Sequence, residues 1–340
     1  MNKTLIYIII LLALGVASWF FVFQEDNRTV DMDETHFHIE DTSKVYKIFM
    51  ADMGSQEILL ERTLSGWRLN GEERARPDGI DLILGTMNRI RVDYPVPSAG
   101  RDNIIKLLAS DATKVEAYDK DDEFLISYYV GGSTNDIKGT YMILNGAKDP
   151  YVVHIPGFDG DVSTRYFLDK EVWKDRGVFR YQLERIKQIT IDYPGYPEHG
   201  FTLTLTKDSF SLDPTSDGLQ LPSETVKRDY LARYLSFFKN VNAEGYENSY
   251  PLKDSVLAST PFCVIKITDR LDTENEVKIF LKPVTSRTKV QFDEKGDPML
   301  FDEDRYFALV NHGRDFAMIQ QFNFGKLFMR YKDFFLEAES

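Results

Sequence analysis

Apolar side chains recur along this chain at two spacings, and the spacings change in an order that is met twice. From Ser43, the stretches SKVYKIFMADM and QEILLERTLSGWRLN alternate apolar and polar positions, the period of strands with one buried face. PDGIDLILGTMNRIRV then switches to helical spacing, with Ile80, Ile83, Leu84, Met87 and Ile90 on one stripe behind a proline. Extended segments return in LLASDATKVEAYD, FLISYYVGG and TYMILNGAKDPYVVHI, the last bent by the turn-rich spacer NGAKDP. An aromatic, basic-tinged segment, RYFLDKEVWKDRGVF, is expected to close the block as a helix.

The order starts again at Glu184. ERIKQITIDYP and HGFTLTLTKDSFSLD match the opening pair, setting Phe210, Ser211 and Leu212 against Trp67, Arg68 and Leu69. PSETVKRDYLARYLSFFKNV supplies a second amphipathic helix, its stripe running from Val226 through Tyr230, Leu231, Tyr234 and Leu235 to Phe238, with Ser223 and Glu224 as capping chemistry. Leu257, Ala258 and Ser259 then meet Leu108, Ala109 and Ser110. Tyr306, Leu309 and Phe316 meet Tyr141, Leu144 and Tyr151, and FNFGKLFMRYKDFF closes the copy. The expected fold is α+β: two tandem repeats of a mainly antiparallel β-sheet domain with covering helices, over residues 43–182 and 183–340.

Ahead of the repeats, Leu5 to Phe23 carries no charge over about 19 residues, long enough as a helix to span roughly 28 Å of bilayer. Lys3 precedes the run and Glu25, Asp26, Asp31, Asp33 and Glu34 follow it, so the expected topology is an N-terminal transmembrane anchor over residues 1–24 with its N-terminus in the cytoplasm. An acidic stalk at 25–42 then leads to an extracytoplasmic body. The rival reading is a signal peptide cut before Ser18, behind Gly15 and Ala17; the length of the run and its aromatic end favour the anchor.

Composition narrows the function classes. The 340 residues are 43% hydrophobic and 13% aromatic, which describes a folded, strand-leaning chain. A net charge of −13 without a basic stripe excludes nucleic acid as a partner. The single cysteine, Cys263, rules out an internal disulfide and reads as a buried strand residue.

Chemistry-bearing motifs are scarce. No GxSxG elbow and no Gly-rich phosphate loop occurs. His36, His38 and Glu40 alternate in HFHIE and would share one face of a strand, a spacing able to hold a metal, although no further ligand is near in sequence. His154, His199 and His312 stand apart. The acidic clusters at 119–123, 159–161 and 293–297 lack the EF-hand order and read as turns. Trp67, Trp173, Tyr128, Tyr129 and Phe179 either line a groove or fill the cores, and core packing is the favoured reading. No catalytic, cofactor-binding or metal-ligating residue is therefore assigned, and no cofactor is expected.

SGWRLN, the helix PDGIDLILGTMNRI, GTYMILNGAKDPYVVHI and RYFLDKEVW together resemble the bacterial family called domain of unknown function 4340, over most of the chain beyond the anchor. The resemblance implies no catalytic residues. It implies a cell-envelope partner, with ABC-transporter auxiliary components as the specific class. Function is thus expected to be that of a membrane-anchored extracytoplasmic binding or scaffold protein in the inner membrane, and the alternative is an exported hydrolase working through paired carboxylates.

Overall fold

The computed structural model describes residues 35–217 and 220–335. The apolar run 5–23 and the stalk up to residue 34 lie outside them, and no helix of the described residues is long and apolar enough to cross a membrane. The architecture is α+β, dominated by antiparallel sheets, and the chain divides into two compact units between Asp169 and Lys170.

The first unit holds β1 (Lys47–Ala51), β2 (Glu57–Thr63), β3 (Gly66–Leu69), β4 (Glu73–Arg74), β5 (Arg91–Pro95), β6 (Thr113–Tyr118), β7 (Phe124–Ser133), β8 (Thr140–Leu144) and β9 (Tyr151–His154). They form one sheet in the order β4-β3-β2-β1-β6-β7-β8-β9-β5. Alternation buries Ile48 and Met50 of β1, Val115 and Ala117 of β6, Tyr128 of β7 and Leu144 of β8. Helix α1 (Pro77–Arg89) opens with proline at its first position, where the missing N–H costs nothing, and buries Ile80, Ile83 and Met87. Helix α2 (Ser98–Asp111) covers the other face of the sheet: Ile104 and Leu108 pack with Val152 against Tyr129, Tyr141 and Ile143. Its large apolar residues, Ile104, Ile105, Leu107 and Leu108, are confined to positions 104–108, and the reading of the chain as strands from LLASDATKVEAYD onward passes over it.

The second unit contains α3 (Lys170–Trp173), β10 (Gly177–Phe179), β11 (Ile186–Asp192), β12 (Phe201–Leu205), β13 (Phe210–Pro214), α4 (Arg228–Ser236), β14 (Val241–Asn242), β15 (Gly245–Tyr246), α5 (Lys253–Leu257), β16 (Cys263–Asp269), β17 (Glu274–Pro283), β18 (Phe301–Val310), β19 (Asp315–Gln320) and α6 (Gln321–Phe324). Its main sheet runs β13-β12-β11-β16-β17-β18-β19-β15, and β10 pairs separately with β14. Strand for strand this is the order of the first sheet without β4.

Register agrees as well as order. Trp67 stands opposite Arg62 and Phe210 opposite Leu205, while Leu69 faces Leu60 and Leu212 faces Leu203. Met50 lies opposite Val115, and Ile191 opposite Ile265. In the hairpins that follow, Asp122 and Asp272 adopt left-handed backbone at φ 61 and 60, and each pairs with a lysine, Lys47 in the first unit and Lys187, one place out of register with it, in the second. Asp119 and Asp269 each accept two backbone N–H groups of their own turn.

Three expectations change. In the meander, Val130 faces Met142 and Ile279 faces Ala308, and Tyr141 faces Val152 as Phe307 faces Met318. Tyr141 therefore corresponds to Phe307 rather than Tyr306; Leu144 and Leu309 point to opposite faces, Leu309 packing with Phe280, Phe307 and Phe316. The second amphipathic helix starts at Arg228, and the Ser223 hydroxyl, instead of capping it, binds the backbone of Leu212. The segment RYFLDKEVWKDRGVF is not one helix and does not close the first unit, since from Lys170 onward it belongs to the second.

What ties that segment down is a buried ion pair. Lys174 Nζ donates to Asp315 Oδ1 at 2.6 Å, with the two residues 9% and 5% exposed. Asn311 and Asn248 also donate to Asp315, at 2.8 and 3.1 Å, Asn248 accepts from the Phe316 N–H, and the Tyr246 hydroxyl donates to the Asp175 carbonyl. Burial pushes the Asp315 carboxyl upward, but hydrogen bonds from Lys174, Asn311 and Asn248 outweigh it and hold the group below its ordinary 3.8.

A carboxyl depressed on folding stabilises the protein above its unfolded value, and that stabilisation is lost as pH falls through the folded one. Asp315→Asn is expected to cost about 3–5 kcal/mol, because it leaves Lys174 buried without a counter-charge. Urea unfolding should show this loss at pH 7. The wild-type advantage should shrink as the pH is taken below about 4; an advantage unchanged by pH would contradict the assignment.

Candidate functional site

Because the two units share strand order and register, the places where they differ locate specialised structure. Two differences stand out, and they converge. Tyr94 of β5 faces Val152, and Gly245 of β15 faces Met318, so the chain leaves corresponding edge strands at corresponding points. In the first unit it enters α2 directly. In the second it makes turns through Asn248 to Leu252, with Pro251 among them, and becomes helical only at Lys253. The second difference is the connection after β7 or β17: residues 134–139 in the first unit, residues 284–300 in the second. The longer connection forms an arm closed by a bridge between Phe292 and Pro298.

Between the arm and the 247–251 turns lies a cleft of about 690 Å³, floored by Phe307 of β18 and Met318 of β19. It is lined besides by Glu244, Glu247, Tyr250 and Pro251, by Lys282 and residues 285–288, and by Asp302 and Arg305. The Tyr250 ring packs 4.9 Å from that of Phe307 and stacks on Phe316 at 6.1 Å. Its position follows from Pro251, which breaks the helical path and leaves the tyrosine over the sheet.

Most charges in the cleft are already paired. Arg305 grips Glu244 through two bonds of 2.7 and 2.9 Å, and Lys282 donates to Asp302 at 2.8 Å. The Arg287 guanidinium and the Glu247 carboxylate make no hydrogen bond or ion pair among the described residues. Burial pushes the Asp302 carboxyl up, yet its bonds from Lys282 and the Asp304 N–H prevail and hold it below its ordinary value. A hydrolase using two carboxylates needs one of them protonated near neutral pH. Asp302 is held ionised instead, and Glu244 is gripped by Arg305.

The candidate residues read from the sequence lie elsewhere, and most have structural work to do. His36 and His38 stack at 4.4 Å in an irregular segment rather than a strand, with Phe37 buried between them. No group of three potential metal ligands occurs among the described residues. His199 stacks on Tyr196, and His312 occupies a left-handed position in the β18–β19 hairpin. Trp173, Tyr128 and Phe179 are fully buried, Tyr128 sharing a 3.1 Å hydrogen bond with the Tyr166 hydroxyl. Trp67 is half-buried with Arg62 over its ring, and Tyr129 packs under α2. Cys263 is buried in β16, and burial pushes its thiol far up, away from reactivity. Asp293 accepts the N–H groups of Lys295 and Asp297, so that acidic cluster shapes the tip of the arm.

A second hollow, about 340 Å³, lies beside α2 and is lined by Met53, Ile105, Leu108, Ala109, Tyr129 and Ile143. It offers almost nothing polar to orient a ligand. Nothing in the pattern of the chain points to the cleft of the second unit, whose residues come from four separated stretches. The one available signal is length: the second copy holds eleven more residues than the first between corresponding strands, by the bounds of the two connections.

A double-mutant cycle on Lys282 and Asp302 should give a coupling on the order of 2–3 kcal/mol, while the exposed Lys266–Glu274 pair should give a much smaller one. Chemical unfolding of the four variants measures it. Equal couplings would mean that the cleft pair is as solvated as the surface one. Compared with protein-family models, with curated proteins and with solved structures, the chain matches none of them.

Proposed function

We propose that this chain is a membrane-anchored extracytoplasmic binding or scaffold protein made of two tandem repeats, in which the second repeat carries the binding surface. The observation that carries the reading is the convergence of two differences between the units, the turns before α5 and the long arm, on one cleft. Shared strand order and register support descent of both units from one domain, and the matching left-handed turns at Asp122 and Asp272 agree with it. A copy that keeps the frame and alters one loop and one helix start is the expected product of specialisation after duplication.

The apolar run 5–23 and the charge asymmetry around it support an N-terminus in the cytoplasm and a body outside the inner membrane. The resemblance to domain of unknown function 4340 supports a cell-envelope partner, an auxiliary component of an ABC transporter being the class it implies. Pairing of two of the three cleft carboxylates, Asp302 and Glu244, with cations favours binding over hydrolysis.

Two measurements test this reading. A phosphatase fused at the C-terminus should be active and a fluorescent reporter that matures only in the cytoplasm should be dark; the reverse pattern would sink the topology. A photo-crosslinker placed at Ser286 should capture an envelope component in living cells, and the same probe at exposed Leu64 should not. Equal capture from both positions would remove the cleft as the binding surface.

A further inference from the structure

We propose that the cleft of the second unit binds a neutral oligosaccharide. The inference rests on the binding-protein reading and names the ligand class for the same site. Three features of the cleft lead to it.

The first is charge balance. Three cationic side chains, Lys282, Arg287 and Arg305, face three anionic ones, Glu244, Glu247 and Asp302. Two of the three opposite pairs are closed within 3 Å. A ligand of several like charges would find one open counter-charge at most, Arg287 or Glu247, and would have to break a pair to gain a second, which disfavours it against a neutral one.

The second is where the hydrogen-bonding groups come from. The floor strands β18 and β19 are interior to the sheet, with β17 beyond one and β15 beyond the other, so their backbone groups are spent on neighbours. An extended peptide could add no strand to such a floor. Polar contacts must come from side chains: the guanidinium of Arg287, the carboxylate of Glu247, the Ser286 hydroxyl, and the outer lone pairs of carboxylates held by Lys282 and Arg305. Planar donors and acceptors of both kinds suit neighbouring hydroxyl groups, each of which both donates and accepts hydrogen bonds.

The third is the apolar surface. The partly exposed Tyr250 and Met318, with buried Phe307 beneath them, form a patch within this polar frame. A sugar ring has one face of C–H groups and a rim of hydroxyls, and this arrangement offers a partner to each. The volume, about 690 Å³, falls within the range of small-ligand sites.

The experiment is isothermal titration of the full chain in detergent with cellotetraose, maltotetraose and chitotetraose, alongside the zwitterionic tetrapeptide tetra-alanine. Saturable binding of at least one oligosaccharide is expected, with Kd at or below about 1 mM. It should change little up to about 0.5 M salt, since no net charge is neutralised. Arg287→Ala, an exposed substitution, should weaken binding about tenfold, and Ser286→Trp should abolish it, both with unfolding midpoints like wild type. No heat from any oligosaccharide, tighter binding of the tetrapeptide, or binding indifferent to both substitutions would overturn the assignment. Crosslinking from Ser286 separates the two ideas: capture of an envelope protein despite silent titrations would retain the binding module and discard the sugar.

Discussion

The constraint on which both units depend is that an antiparallel sheet in water has two faces to cover, and alternation along each strand decides which side chains face which cover. In each unit the pleat sends one set of side chains into a large core: Ile189, Ile191, Ile265 and Ile267 are fully buried in the second, as Ile48, Met50, Val115 and Ala117 are in the first. That face tolerates little change, since a shift of one residue would turn the whole set outward. The opposite face is freer. It is closed by α2 in one unit, and in the other by Tyr250 together with Val256 and Leu257 of α5, packed on Phe280, Phe307 and Phe316 of the sheet. The cleft occurs on the less constrained side for that reason.

Much of the frame was legible in the residues because it follows from period. The stripe of α1 and the paired strands around Trp67 and Phe210 could be aligned directly, since hairpins of matching length preserve register. The meander could not. Once the arm lengthens the path from β17 to β18, the count from one copy no longer fixes the count in the other, and a slip of one residue still pairs apolar with apolar. Tyr306 and Phe307 are both aromatic, and only the pairing of Phe307 with Met318 distinguishes them.

The cleft was invisible for a different reason. Its polar groups gain their roles from partners distant in sequence: Arg305 meets Glu244 and Lys282 meets Asp302 only after the strands are laid side by side. The same holds for Lys174 and Asp315, 141 positions apart, whose pairing moves the segment after Asp169 into the second unit. A lysine in a mixed helical-looking stretch reads as a solvated surface residue until its buried partner is known.

The lone thiol of Cys263 sits at 0% exposure in β16, between β11 and β17. A reagent that modifies thiols therefore reaches it only when the middle of that sheet parts. With no other cysteine in the chain to compete, the rate of labelling reads out how often the second unit opens, giving a native clock for its breathing without any engineered probe.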